Sequence, residues 1–178
     1  MSYANNVVSL PQSIDYHALL SQKILEHSAS VTVIGQGYVG LPLAVEFGRM
    51  GFTVTGLDVS AQRVQSLNEG HSPTPDIADT DLQMLRLQGR YNASTDFCVP
   101  TPLRKSKDPD ISYVLDSARR VIEHLRPGQL VILESTTYPG TTEELLLPMF
   151  EETGHVAGKD FFLAFSPERI DPGNRDFK

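Results

Sequence analysis

A chain of 178 residues with 22 acidic and 15 basic side chains carries a net charge of -7, which argues against nucleic acid as a partner, because binding it relies on Lys and Arg neutralising phosphates. Hydrophobic residues at 40% and charged residues at 21% are those of a chain that builds a core rather than a disordered one, and no apolar run approaches the roughly 20 residues needed to cross a bilayer, so no membrane is expected either. Cys98 is the single cysteine, which excludes an intrachain disulfide and fits a reducing, cytoplasmic setting.

In chain order, residues 1–29 read as an N-terminal extension. They lack the basic start and apolar stretch of a signal peptide, and Leu19, Leu20, Ile24 and Leu25 give Tyr16 to His27 helical spacing. From residue 30 onward the pattern becomes α/β. Val31 to Ile34 is a short apolar run stopped by Gly35, the mark of a buried parallel strand. Leu41 to Met50 has helical spacing and ends at Gly51. Phe52 to Leu57 reads as the second strand, and Ser60 can cap a helix over Ala61 to Asn68 that stops at Gly70. His71 to Asp76 is a loop, Asp79 to Leu87 a helix, and Tyr91 to Thr95 a brief strand.

Pro100, Pro102 and Pro109 bracket a further loop. An amphipathic helix follows over Ile111 to Leu125, with Val114, Leu115, Ala118, Val121, Ile122 and Leu125 on its apolar side. Gln129 to Leu133 is a buried strand, Thr141 or Thr142 caps a helix through Phe150, and Asp160 to Phe165 is the last strand. The alternation predicts a Rossmann-like, doubly wound α/β domain over residues 30–178, mainly parallel in its sheet, with the helical extension ahead of it.

The glycines Gly35, Gly37 and Gly40 carry the first functional signal. A bare G-x-G-x-x-G is weak evidence, but here it follows a strand and opens a helix. Gly35 permits the tight turn, Gly37 lets the backbone approach a pyrophosphate, and Gly40 allows helix and strand to pack closely. The helix N-terminus offers N–H groups and partial positive charge to phosphates. Asp58 stands at the end of the second strand, about twenty residues on, where an acid binds the ribose hydroxyls. A carboxylate there repels a 2′-phosphate and favours NAD over NADP, although Arg63, one turn into the next helix, softens that preference. The ordinary alternative is a glycine turn with an incidental strand-end Asp. No cluster of side chains suggests a metal.

Four segments go further: Gly37-Tyr-Val-Gly-Leu-Pro-Leu-Ala44, Cys98-Val-Pro-Thr-Pro-Leu103, Glu134-Ser-Thr-Thr-Tyr-Pro-Gly-Thr-Thr142 and Ser166-Pro-Glu-Arg-Ile-Asp-Pro-Gly-Asn174. Together, from about Val31 to the end, they resemble the nucleotide-sugar 6-dehydrogenases (the UDP-glucose/GDP-mannose dehydrogenase family). Within it the pattern is most similar to the UDP-N-acetylglucosamine 6-dehydrogenase branch of bacterial surface-polysaccharide synthesis; the UDP-glucose and UDP-N-acetylmannosamine branches share much of it. The resemblance implies NAD-dependent oxidation of the C6 alcohol of a UDP-sugar to the acid, by two hydride transfers, through an aldehyde that a cysteine captures and a thioester that water hydrolyses. It implies that Tyr38, Val39, Asp58, Arg63, Thr101 and Thr136 touch NAD. Thr136 would also help place a catalytic water, Glu168 would act in the acid–base network beside the sugar, and Arg169 would lie close to the substrate. A homo-oligomeric parent is implied as well.

The residues support these roles on their own. Thr101, Thr136 and Glu168 fall just past predicted strands, at the carboxyl edge where open α/β sheets bind ligands, and a carboxylate there can activate water. The alternative keeps Thr136 and Thr137 as turn residues and Glu168 with Arg169 as a solvated loop pair.

Two features depart from the family pattern. Its nucleophilic cysteine lies in a later Gly-rich segment of a sugar-binding domain, and the chain ends at Lys178 before one; Cys98 reads as a small buried thiol. The expectation is therefore an NAD-binding part that does not oxidise sugar alone. Second, Phe97 runs straight into Cys98, where the family has a short helix and an apolar strand, on the order of ten residues more. Either the molecule holds residues that this sequence lacks, or the deletion is real and puts the Thr101 contact in doubt. Two other functions stay open: a free-standing dinucleotide-sensing module, which has no need of Thr136, Glu168 and Arg169, and a hydroxyacid-type dehydrogenase, which needs no nucleotide handle.

Overall fold

Asp15 accepts a hydrogen bond from the Ala18 amide at 3.0 Å and so starts α1 (Tyr16–Leu25), the helix expected ahead of the domain. The computed structural model describes residues 14–96, 111–135 and 137–167. No residue of α1 is buried. It is held at its two ends instead: His17 meets the Phe162 ring edge-on at 5.9 Å, and His27, just past the helix, lies 4.8 Å from the Phe52 ring.

Three strands and three helices make the first half. β1 (Ser30–Ile34) pairs in parallel with β2 (Thr53–Leu57), Ser30 opposite Thr53 and Ile34 opposite Leu57. β2 pairs in parallel with β3 (Tyr91–Ser94), Val54 opposite Tyr91, so β2 is central. α2 (Gly40–Arg49) links β1 to β2, and α3 (Ala61–Asn68) with α4 (Asp79–Leu87) links β2 to β3. The helices form because apolar residues recur at helical spacing, and they dock through them. Leu41 of α2, Leu67 of α3 and Leu82 of α4 are all fully buried, each worth about 1.5–3 kcal/mol of transfer free energy.

The predicted cap of α3 is present. Ser60 Oγ accepts from the Arg63 amide at 3.2 Å, and Gly70 follows the helix at φ +85°. Ser60→Ala should cost about 1 kcal/mol, read as a lower urea midpoint with an unchanged slope; an unmoved midpoint would show that water serves that amide as well.

α5 (Ser112–Glu123), β4 (Leu130–Leu133), a π-helical stretch Thr141–Leu146, α6 (Leu147–Glu151) and β5 (Phe162–Phe165) form the second half. β4 and β5 pair in parallel, Leu130 opposite Phe162. Their helices close over a separate apolar cluster around Phe150 and Phe161, whose rings stack at 5.6 Å. Ala118 is the buried point of α5, and Val114, Leu115, Val121 and Ile122 pack beside it as the periodicity predicts.

The expected cap by Thr141 or Thr142 is not made. Gly140, at φ +87°, occupies the cap position and no side chain caps the helix start. The Thr141 hydroxyl turns backward and donates to the Tyr138 carbonyl at 2.8 Å, satisfying the preceding turn rather than the helix amides.

Among the described residues the parallel strands fall into two sheets, one of three strands and one of two, with no pairing between β1 and β4. In a doubly wound sheet the strand following β3 in sequence lies beside β1. Among the described residues that pairing is not made. Ile34, Leu130 and Ile132 are 42%, 38% and 49% exposed, although apolar side chains of this kind are normally covered in a parallel sheet. Among the described residues no helix is long and apolar enough to cross a membrane.

Candidate functional site

β1 ends at Ile34 and the chain reverses at Gly35, whose φ of +87° is a region that glycine enters at little cost. The Gly35 amide donates to the Leu57 carbonyl at 2.7 Å, so the turn is tied to the end of β2. A Cβ on Gly40 would stand 1.8 Å from the Gly35 carbonyl oxygen and 3.4 Å from Val33 Cγ1. Its absence lets α2 rest against the turn.

Gly37 differs: a Cβ there meets nothing within 4 Å, so the turn is open on that side and a ligand can approach the backbone. No side chain caps the start of α2. The first amides of a helix have no partner within it and carry the positive end of its dipole, an arrangement suited to an anion. Tyr38, half exposed, and Val39, half-buried, stand beside these amides.

Asp58 follows β2 directly and is only 4% exposed. Its Oδ2 accepts from the Gln36 amide at 2.9 Å and from Arg63 Nη1 at 2.9 Å; its Oδ1 accepts from the Ser60 amide at 2.9 Å. Burial pushes the carboxyl pKa up, but the Ser60 amide, the Arg63 guanidinium and the Gln36 amide together hold it below the ordinary carboxylate value. Asp58 is therefore a fixed anion at neutral pH. A carboxylate oxygen has two acceptor positions, so Oδ1 keeps capacity for a hydroxyl donor. Arg63 donates one guanidinium N–H to Asp58 and its side chain remains 40% exposed.

The structure thus brings Gly35, Gly37, Tyr38, Val39, Gly40, Asp58 and Arg63 together at the carboxyl edge of β1 and β2. Thr101, Thr136, Glu168 and Arg169 lie outside the described residues, as does Cys98. The strands that precede Thr136, Glu168 and Arg169 are described: β4 ends at Leu133 and β5 at Phe165, and the Ser166 amide donates to the Leu133 carbonyl at 3.0 Å. Among the described residues no group of three or more His, Cys, Asp or Glu side chains is placed to hold a metal.

Sequence reasoning did not find the support beneath the turn. The Gln36 side chain is fully buried and accepts from the Tyr91 hydroxyl of β3 at 2.8 Å. The parallel register that brings β3 within reach has no local sequence signal.

Residues 29–176 match the family model described as the NAD binding domain of the UDP-glucose/GDP-mannose dehydrogenase family. The chain is 38% identical over 157 residues to a UDP-N-acetyl-D-glucosamine 6-dehydrogenase of Pseudomonas aeruginosa, covering 83% of this chain and 37% of that protein. It is 38% identical over 154 residues to Protein CapL of Staphylococcus aureus, covering 82% and 36%. Among solved structures, the UDP-D-ManNAc dehydrogenase of Pyrococcus horikoshii superposes with a TM-score of 0.71 at 36% identity, covering 82% of this chain and 37% of that one. The chain spans little more than a third of the length of these relatives. It belongs to the UDP-glucose/GDP-mannose dehydrogenase family, of which it carries the NAD-binding domain, and the likeness extends to the Rossmann-like fold.

Proposed function

We propose that this member of the family supplies the NAD-binding part of a cytoplasmic UDP-sugar 6-dehydrogenase, acting on a UDP-N-acetylhexosamine in surface-polysaccharide biosynthesis. The observation that carries the proposal is the ionised Asp58 clamped beside an uncapped glycine turn. The sugar rests on the Pro167-Glu-Arg-Ile-Asp-Pro-Gly-Asn174 segment and on a relative named for UDP-N-acetyl-D-glucosamine, so UDP-N-acetylglucosamine is the first substrate to try. UDP-N-acetylmannosamine is the second, because a solved relative is named for it.

When bound, NAD supplies the hydride acceptor. The chain's own residues divide the remaining work. The amides of Gly37 to Gly40 and the start of α2 would hold the pyrophosphate, Asp58 Oδ1 would accept from an adenosine ribose hydroxyl, and Arg63 would keep Asp58 oriented beside the cofactor. Tyr38, Val39, Thr101 and Thr136 would complete the cofactor contacts. By the family resemblance Thr136 would help place a catalytic water, Glu168 would act in the acid–base network and Arg169 would lie close to the substrate. In this reading residues 1–29 are an extension outside the cofactor domain and the assembled parent is a homo-oligomer.

The test is calorimetric titration with NAD and NADP, followed by UDP-N-acetylglucosamine with NAD while absorbance at 340 nm is recorded. NAD is expected to bind more tightly than NADP, and NADH formation with the UDP-sugar would identify the substrate. Equal affinity for the two dinucleotides would overturn the role of Asp58.

A further inference from the structure

Gln36 lies between the first two glycines, where its side chain needs only to be tolerated. Instead it is fully buried and bonded on every side. Its Nε2 donates to the Val33 carbonyl at 2.8 Å and more weakly to the Gly35 carbonyl at 3.4 Å. Its Oε1 accepts from Tyr91 Oη at 2.8 Å, and its backbone amide donates to Asp58 Oδ2 at 2.9 Å. One residue therefore joins the turn, the acid and the third strand.

Tyr91 starts β3, and β2 lies between β3 and β1. The hydroxyl reaches Gln36 because the intervening strand carries Gly56 there. A Cβ at that position would stand 2.5 Å from Gln36 Cδ and Oε1 and 2.7 Å from Tyr91 Oη, closer than real contacts allow. Gly56 is thus a window in the sheet through which the two side chains meet.

We propose that Tyr91, acting through Gln36 and the gap at Gly56, is a positioning residue for the cofactor: it fixes the glycine turn and the Asp58 carboxylate in the spacing that a ribose–pyrophosphate needs. Tyr91 touches no ligand itself, and the proposal rests on the reading of this turn as the NAD site. A buried amide with every partner in place has one orientation, because any other leaves a buried polar group unbonded. The turn above it inherits that orientation through the Gln36 backbone. The phenol remains a donor throughout, since burial and the nearby Asp58 charge push its pKa up.

The experiment is titration of the chain with NAD, well below its melting temperature, for the unsubstituted protein and for Tyr91→Phe, Gln36→Met and the double variant. Tyr91→Phe keeps the ring and loses only the hydroxyl. It is expected to raise the Kd for NAD about tenfold, the worth of one buried hydrogen bond, with far-UV circular dichroism unchanged. The double variant is expected to bind within about twofold of the weaker single one, because the two residues act as a unit.

An affinity within twofold of the unsubstituted protein, with only the melting temperature lowered, would make the pair structural and overturn the proposal. So would losses that multiply in the double variant. Should Tyr91→Phe fail to fold, Gln36→Met carries the same test from the other partner. No binding of NAD by the unsubstituted chain would instead overturn the cofactor reading, and this role with it.

Discussion

Asp58→Asn is expected to weaken NAD binding about 30-fold, roughly the value of one hydrogen bond from a hydroxyl to a charged acceptor. The carboxylate accepts three donors inside the protein: the amides of Gln36 and Ser60 and the Arg63 guanidinium. An asparagine keeps one acceptor and turns a donor toward one of the two amides. It also frees Arg63 from its ion pair, and the group that repelled a 2′-phosphate is gone. Discrimination between NAD and NADP should therefore collapse along with affinity, and both are read in one calorimetric series. Retention of strong NAD preference in the Asn variant would show that some other group makes the choice.

Asp58 also sets an acid limit. Its pKa in the folded chain is depressed, so its contribution to stability is fully present above the unfolded value of about 4 and is lost as pH falls through the lower folded value. Melting curves between neutral pH and pH 3 should show the unsubstituted chain losing this contribution only at the acid end. The Asn variant, with nothing to titrate there, should show a shallower acid limb.

The second large effect is expected at Gly40. Adding a Cβ 1.8 Å from the Gly35 carbonyl cannot be absorbed by rotating a side chain, since both parties are backbone. Either α2 lifts off β1 or the turn opens. Gly40→Ala should cost about 3 kcal/mol, the upper part of the range for overpacking, and lower the melting temperature by roughly 6–12 °C for a chain of this size. NAD binding should be lost with it. Gly37→Ala is the matched control. Its Cβ meets nothing within 4 Å, so the fold should melt as before while NAD, which must approach that backbone, binds less well. Equal melting temperatures for the two variants would mean that the close helix–turn packing is not what Gly40 provides.

The contrast between these glycines shows what was readable in advance. Each has a local duty that spacing alone reveals: a turn after a strand, a ligand approach, a helix laid on a turn. The same holds for the Ser60 cap and for the apolar side of α5, where the repeat along the helix is the information. Gln36 and Tyr91 are different. They stand 55 positions apart, and their contact exists only because β3 pairs with β2 in one register and β2 has a glycine in the way. Nothing within a short window encodes that.

The start of the helix after Gly140 escaped for a related reason. Two threonines in cap positions look equivalent in sequence, and the choice of the Thr141 hydroxyl for Tyr138 rather than for the helix is made by how the preceding turn folds. Of the candidate site, the phosphate-side residues were legible because they are consecutive or one strand apart. Thr101, Thr136, Glu168 and Arg169 lie outside the described residues.

The break between β1 and β4 has a consequence for cooperativity. Each half encloses its own apolar cluster, Leu41 with Leu67 and Leu82 in one, Phe150 with Phe161 in the other. Two such clusters define two regions that can open locally at different free energies. The dinucleotide turn and its acid belong entirely to the first of them. Free energy gained from a ligand there flows into the half that holds it, by mass action on that half's unfolding, and reaches the other only through the contacts that bridge them. α1 is such a bridge, with His17 on Phe162 at one end and His27 on Phe52 at the other. The N-terminal helix, with no buried residue of its own, thereby touches an aromatic ring of each half.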